Sequence, residues 1–265
     1  MWQLKTLLAT HYHTLRHGLR RGLVFGHCPI CERRTVFFKE GDWLRDQFKC
    51  ALCFSIPRGR ALVQVLEIFF PTWRELTVHE SSPGGPASNK LARECQHLIQ
   101  THWFPHVPLG EKHNGFRCED LERQTFPNAC FDLVISQDVF EHVLDPARGF
   151  AEVARTLRPG GAHVFTIPWY YWQPTFVRAA RDAAGAIQYF AEPDYHGNPI
   201  DPQGSLVVTE WGADFCDFVY RVSGLTTTAV HMRDRQRGIE AAFIEVFISR
   251  KAAVGGSAKP PVGPV

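Results

Sequence analysis

Two sets of residues in this 265-residue chain have the types and spacing to do chemistry. The first is Cys28-Pro29-Ile30-Cys31 followed, after eighteen residues, by Cys50-Ala51-Leu52-Cys53. Two Cys-x-x-Cys knuckles at this separation place four thiolates tetrahedrally about one zinc ion. A closed set of four sulfurs leaves no open position, so the ion is expected to be structural. The second set is Asp138-Val139-Phe140-Glu141-His142. Were this segment helical, the i, i+3, i+4 spacing would put Asp138, Glu141 and His142 on one face. Three kinds of work suit such a face. His142, with an unperturbed pKa of about 6.5, could take a proton from an attacking hydroxyl while Glu141 or Asp138 orients it. The three groups could hold a divalent cation, and an oxygen-rich set with one imidazole favours Mg2+ or Mn2+ over zinc. Or they could cap a helix and pack. His196, within Glu192-Pro193-Asp194-Tyr195-His196-Gly197, is a second candidate base, or a turn histidine.

The elements that must position the second set are legible around it. Phe131 to Ile135 is an apolar run short enough for one buried strand, and it breaks into the polar Ser136-Gln137-Asp138. An amphipathic segment then runs to Leu157, Arg158-Pro159-Gly160-Gly161 stops it, and Ala162 to Ile167 reads as a second buried strand. Strand, loop, helix, glycine turn and strand make a parallel crossover unit. Chemistry in such a unit belongs at the carboxyl end of the first strand, here Ser136 to His142.

Upstream, residues 24–60 form the cysteine-bearing ribbon, with alternation in Thr35–Glu40 and Gln47–Cys50 that fits short strands. Arg60 to Phe70 reads as a helix, and Leu76 to His79 as a strand. That strand runs into Glu80-Ser81-Ser82-Pro83-Gly84-Gly85-Pro86, with a helix over Ser88 to Glu94 beyond it. Downstream of Pro168 come Trp169-Tyr170-Tyr171-Trp172 and a stretch of little periodicity to about residue 210, expected to be an aromatic lid. Trp211 to Ser223 reads as a last helix, and Thr226 to Met232 and Ala241 to Ser249 as two strands about a charged turn.

The succession FDLV, EHV, LRPGG and the proline at 168 resembles the second half of a class I S-adenosylmethionine (SAM)-dependent methyltransferase domain of the ubiquinone/menaquinone type. The likeness covers roughly residues 74 to 168. It implies an α/β, Rossmann-like, seven-stranded and mostly parallel sheet with its last strand antiparallel, preceded here by the small zinc ribbon. It implies SAM as cofactor, with Glu80 as the acid that closes the first strand. Gly84 matches the middle glycine of the loop beside Gly85, and Ser82 and Pro86 replace the outer two. By the same likeness Asp120 would accept from the adenine amino group, Leu121 would pack on its ring, and Gln137 would join the cofactor loop. The acid expected after the next strand to hold the ribose is missing, since Gln100, Thr101, His102 and Trp103 stand there.

The expected reaction is therefore methyl transfer to a hydroxyl, or another nucleophile, of a small molecule or glycan. RNA is an alternative acceptor, because residues 1–60 hold eleven Lys/Arg against four acids while the whole chain is only +2. With two motif glycines and the ribose acid absent, a non-catalytic binding or scaffold role is a further alternative. Residues 1–23 read as an amphipathic helix, with peripheral membrane contact left open, residues 61–251 as the methyltransferase domain, and 252–265 as a disordered tail. No apolar run is long enough to span a membrane, and the paired cysteines fit a reducing compartment, so the cytoplasm is expected.

Overall fold

The computed structural model describes residues 22–197 and 201–253. The expected N-terminal amphipathic helix and all but the first residues of the expected tail lie outside them.

A three-stranded antiparallel ribbon comes first: β1 (Leu23–Cys28), β2 (Arg33–Lys39) and β3 (Phe48–Cys50). Phe37, Phe48, Cys28 and Cys50 turn inward and fill its core with Ile30. Helix α1 (Pro57–Phe69) leaves the ribbon, and Pro57 at its first turn fits a position where no backbone N–H is needed.

The body is built on β4 (Thr77–Ser81), α2 (Gly85–Glu94), β5 (His97–His102), β6 (Lys112–His113), β7 (Phe116–Cys118), β8 (Phe131–Gln137), α3 (Pro146–Thr156) and β9 (Leu157–Thr166). A segment of short strands follows: β10 (Trp169–Tyr170), β11 (Phe176–Val177), β12 (Ala179–Arg181), β13 (Ile187–Tyr189), β14 (Tyr195–His196), β15 (Ser205–Leu206) and β16 (Thr209–Gly212). The chain closes with α4 (Phe215–Ser223), β17 (Thr226–Val230) and β18 (Val246–Arg250).

The main sheet has the order β17-β18-β9-β8-β4-β5-β7-β6. From β9 to β7 every pairing is parallel, and β18 runs antiparallel to both its neighbours. The architecture is thus the expected Rossmann-like α/β sheet with an antiparallel last strand, widened to eight strands by the short hairpin partner β6. Strand residues alternate between the two faces. Val164 and Ile248 meet Leu62, Val65 and Leu66 of α1 on one side; Phe165 and Phe247 meet Phe150, Phe215 and Val219 of α3 and α4 on the other. Truncating a fully buried ring such as Phe150 to alanine would cost about 3–5 kcal/mol.

Four expectations change. The last helix begins at Phe215 and not at Trp211, which lies in β16. The helix before β9 begins only at Pro146, where Asp145 accepts from the Arg148 N–H at 3.0 Å and proline occupies the first turn. Residues 138–145 are bends and turns, so Asp138, Glu141 and His142 do not share a helix face. Arg158 to Gly161 is no separate turn but a bulge inside β9, with the register slipping opposite Phe131 and Leu133. The last strand is confined to Val246–Arg250, since residues 241–245 are irregular. Among the described residues no helix is long and apolar enough to cross a membrane.

Candidate functional site

In the ribbon, the two Cys-x-x-Cys turns are built alike. Glu32 N–H donates to the Cys28 carbonyl at 2.8 Å and Phe54 N–H to the Cys50 carbonyl at 2.9 Å. Both Glu32 and Phe54 take left-handed backbone angles, φ +55° and +57°. This matched curl turns the sulfurs toward one point. Cys28 Sγ lies 3.7 Å from Cys53 Sγ and Cys31 Sγ 4.0 Å from Cys50 Sγ, and all four fall within 4.8 Å of one another. A tetrahedron with Zn–S bonds of about 2.3 Å has edges of about 3.8 Å, so the four thiols fit one such ion.

The ribbon is docked on the body. Arg60, buried beneath the Phe37 ring, donates to the carbonyls of Phe48 at 2.7 Å and Gly238 at 2.7 Å. Gly26 passes so close to the Gln236 carbonyl that a Cβ would stand 1.8 Å from its oxygen. Lys90 of α2 pairs with Glu32.

A cavity of about 1050 Å³ opens at the carboxyl ends of β4, β5, β7 and β8. Strand order reverses between β4 and β8, and an open α/β sheet holds its ligand in the crevice at that reversal. The volume is at the top of the range for small-molecule sites. Of the residues assigned to the cofactor by the sequence resemblance, Ser82, Gly84, Gly85, Asp120, Leu121 and Gln137 line it. Ser82 supplies the backbone shape that glycine usually supplies, with φ +53°, and Gly85 is at φ +72°. Glu80 does not line the cavity. It is buried behind the loop, where its carboxylate accepts from Ser88 Oγ at 2.5 Å and Gln100 Nε2 at 2.9 Å. The Ser88 oxygen in turn accepts from the Gly84 N–H at 2.8 Å, so Glu80 sets the loop through Ser88. Burial pushes the Glu80 carboxyl above its ordinary value. At the missing ribose acid the cavity is lined by His102 and Trp103.

On the far side of the cavity the loop after β8 is pinned at both ends. Phe140, fully buried, stacks on Phe150 with ring centroids 3.9 Å apart. Asp138, at φ +52°, accepts from Thr166 Oγ1 at 2.9 Å and meets two ribbon-side arginines, Arg45 Nη2 at 2.7 Å and Arg58 Nη1 at 2.8 Å. Burial works against its charge, but the two guanidiniums hold its carboxyl down at about 2. Asp138 is therefore engaged by Arg45 and Arg58 and stands outside the group of ligand atoms formed at Glu141 and His142. Glu141 is only 1% exposed, and neither carboxylate oxygen has a hydrogen-bond partner. Burial, reinforced by the nearby Asp138, pushes it well above the usual carboxylate range. His142 Nδ1 lies 2.9 Å from the Leu206 carbonyl, and burial lowers this imidazole to about 4.

The expected lid is a chain of small β pairings that folds back over this loop. Val208 N–H donates to the Glu141 carbonyl at 2.7 Å, and β14 pairs with β15 so that His196 lies opposite Ser205. That register brings the His196 ring edge-on to His142, with centroids 5.2 Å apart. Sequence reasoning named these two histidines separately; the structure joins them with Glu141, their ligand atoms within 4.8 Å of one another. It missed Trp43, Arg45, Arg58, Arg181 and Phe243, which also line the cavity together with Tyr170 of the expected aromatic segment. Two of these carried a signal, Trp43 and Arg45 being an aromatic and a cation in the ribbon's longest loop.

Comparison with known proteins adds one sequence-level match. Residues 86–165, from α2 into β9, match a family described as a methyltransferase domain. No curated protein matches the chain. Structurally similar proteins include an S-adenosylmethionine-dependent methyltransferase from Mesorhizobium loti, 18% identical, covering 72% of this chain and 98% of its own, with a TM-score of 0.45. A second is the 1,6-didemethyltoxoflavin-N1-methyltransferase of Burkholderia thailandensis, solved with 1,6-didemethyltoxoflavin and S-adenosylhomocysteine. It is 12% identical, with 74% of this chain and 78% of that one covered and a TM-score of 0.45. A third is a SAM-dependent methyltransferase from Methanosarcina mazei, 15% identical over 70% of this chain and 98% of that one, at a TM-score of 0.42. At TM-scores below 0.5 these likenesses carry no functional argument.

Proposed function

We propose that this chain is a SAM-dependent methyltransferase whose acceptor is a hydroxyl of a small molecule or glycan. The carrying observation is the cavity at the sheet's strand reversal, lined on one side by the Ser82–Gly85 loop and on another by Asp120–Leu121, the latter within residues 86–165 that match a methyltransferase domain and the former just ahead of them. In this reading SAM lies along that loop with adenine toward Asp120 and Leu121, and His102 or Trp103 stands beside the ribose.

SAM supplies an electrophilic methyl group on a sulfonium. The chain's task is to hold an acceptor oxygen in line with it, and such alignment supplies much of the rate of a displacement. As the O–CH3 bond forms the S–CH3 bond breaks, the neutral thioether leaves, and the acceptor's proton passes to solvent water at the open mouth of the cavity. An imidazole whose burial has lowered it to about 4 is a poor proton acceptor at neutral pH, so we assign His142 to orienting the acceptor and not to deprotonating it.

The small-molecule reading is favoured over RNA by where the basic residues of the head have gone. Arg45 and Arg58 pair with Asp138, Arg58 also with Asp46, and Lys49 with Glu40, while Arg60 is buried under Phe37. These four cations are neutralised or enclosed, while Arg33 and Arg34 stay exposed, so among the described residues the head offers only part of its charge to a phosphate backbone. The acceptor side is instead walled by Trp43, Tyr170 and Phe243 beneath the lid, an enclosure suited to a ring. The four cysteines, in the same proposal, hold one structural zinc. Isothermal titration with SAM tests the whole reading: heat at micromolar ligand is expected, and its absence at high concentration would leave a binding or scaffold role.

A further inference from the structure

We propose that Glu141, His142 and His196 form a binding site for one first-row transition-metal dication, distinct from the four-cysteine site, and that this ion ties the lid to the loop after β8. The hydrogen bonding of His142 decides the first part. Its Nδ1 faces the Leu206 carbonyl at 2.9 Å, and a carbonyl can only accept, so the ring proton sits on Nδ1. The neutral ring therefore presents a bare lone pair at Nε2. That lone pair lies 3.8 Å from Glu141 Oε1, beyond hydrogen-bond reach. Glu141 is buried and neither of its oxygens has a partner. A buried carboxyl group with no partner beside an unprotonated imidazole nitrogen is a costly arrangement in a protein interior, and a cation bound by both, displacing the carboxyl proton, relieves it.

His196 supplies the third donor, from the lid. The β14–β15 register sets Tyr195 opposite Leu206 and His196 opposite Ser205, so the hairpin whose one strand fixes the His142 tautomer delivers His196 from the other. A backbone carbonyl holding the far nitrogen of a ligating imidazole is the usual outer support of a metal-bound histidine. The three ligand atoms lie within 4.8 Å of one another. A cation about 2.1 Å from each would draw them inward by about an ångström, within reach of side-chain rotation.

The donor set also selects the ion. Sequence reasoning placed Asp138 here, giving two carboxylates and one imidazole and hence Mg2+ or Mn2+. Arg45 and Arg58 take Asp138, and His196 replaces it, so two imidazoles and one carboxylate remain. That nitrogen-rich set suits iron, manganese, cobalt or zinc over Mg2+ or Ca2+. Three protein ligands leave positions open, and His142 and His196 both line the cavity. On the methyltransferase reading, and only on it, an acceptor oxygen would fill an open position and be held facing the sulfonium.

The test is total first-row metal by elemental analysis after equilibrium dialysis of the full chain against Mn2+, the dication least able to displace zinc from thiolates. Wild type is expected to retain one equivalent more than His196→Ala or Glu141→Gln, with the ribbon's equivalent kept by all three. Titration of the metal-depleted second site should show at least a tenfold weaker Mn2+ affinity in His196→Ala. His196 is exposed, so that variant is informative even if Glu141→Gln fails to fold. Equal metal content in wild type and His196→Ala up to millimolar Mn2+ overturns the proposal. SAM binding is read separately by calorimetry, so a chain that binds SAM but holds no second metal loses this inference alone.

Discussion

Replacing Asp138 by asparagine keeps the side chain's shape and removes its charge. In the folded chain that carboxylate is held by Arg45, Arg58 and Thr166 at 2.7, 2.8 and 2.9 Å. Its pKa is held at about 2 against an ordinary 3.8, although burial alone would raise it. That gap corresponds to about 2–3 kcal/mol of folding free energy carried by the ionised group. The substitution also leaves Arg45, 6% exposed, facing a neutral amide, and breaking one side of a buried pair costs about 3–5 kcal/mol. Glu141 offsets part of this, since its carboxyl is relieved of a nearby negative charge. A net loss of about 2 kcal/mol at pH 7 is expected from these opposing terms. The pH dependence has a definite sign. Because the folded pKa lies below the unfolded one, the stabilisation is complete above about pH 5 and fades as pH falls through 4 toward 2. Urea unfolding of wild type and Asp138→Asn at pH 7, 4 and 3 measures it. A difference under about 0.5 kcal/mol at neutral pH, the ordinary scatter of surface changes, or one that grows on acidification, would refute the account.

Freshly purified protein should carry one zinc per chain at the cysteine quartet, and Cys28→Ser should lose it together with a lowered melting temperature. Asp120→Ala should weaken SAM binding by about tenfold, read by calorimetry, and unchanged affinity would move adenine elsewhere in the cavity. Gly26→Ala forces a Cβ to 1.8 Å from the Gln236 oxygen, a backbone atom that cannot swing aside. It should cost about 1–3 kcal/mol in urea unfolding, and an unshifted midpoint would put the ribbon's docking on the body in doubt.

Strands that are buried on both faces were legible because they are simple. Phe131 to Ile135 and Ala162 to Ile167 are apolar runs; β8 contains the first, and β9 the second as far as Thr166. The clustering of the four cysteines was legible because the spacing of two Cys-x-x-Cys turns is a local property of the chain. Residues 138–145 misled because Val139, Phe140, Val143 and Leu144 recur at helical spacing. The start signal Asp145-Pro146 lay just beyond them, unused. What overrides helix there is long-range: Arg45, Arg58 and Thr166 hold Asp138 in a left-handed conformation, and no local window contains those partners. The lid strands were hidden because pairings of two to four residues carry no detectable period. The meeting of His196 with Glu141 and His142 depends on the β14–β15 register, which no motif encodes.

The same contacts explain why the ribbon belongs with the cavity and is not an appendage beside it. Cys50 N–H donates to the Ser55 carbonyl at 3.0 Å, and Ser55 in turn receives the buried Arg60 guanidinium. Two residues after Ser55 the chain enters α1, whose second residue is Arg58. The second knuckle therefore dictates where α1 begins and where Arg58 points, and Arg58 with Arg45 dictates the conformation of Asp138. Unmaking the knuckle frees that arginine pair, and a buried aspartate without its counter-charges must take up a proton or move. Either response shifts the loop that carries Glu141 and His142. The structural ion proposed for the ribbon would thus act on the loop that carries Glu141 and His142 without touching any bound molecule, through one short stretch of covalent chain and one ion-paired carboxylate.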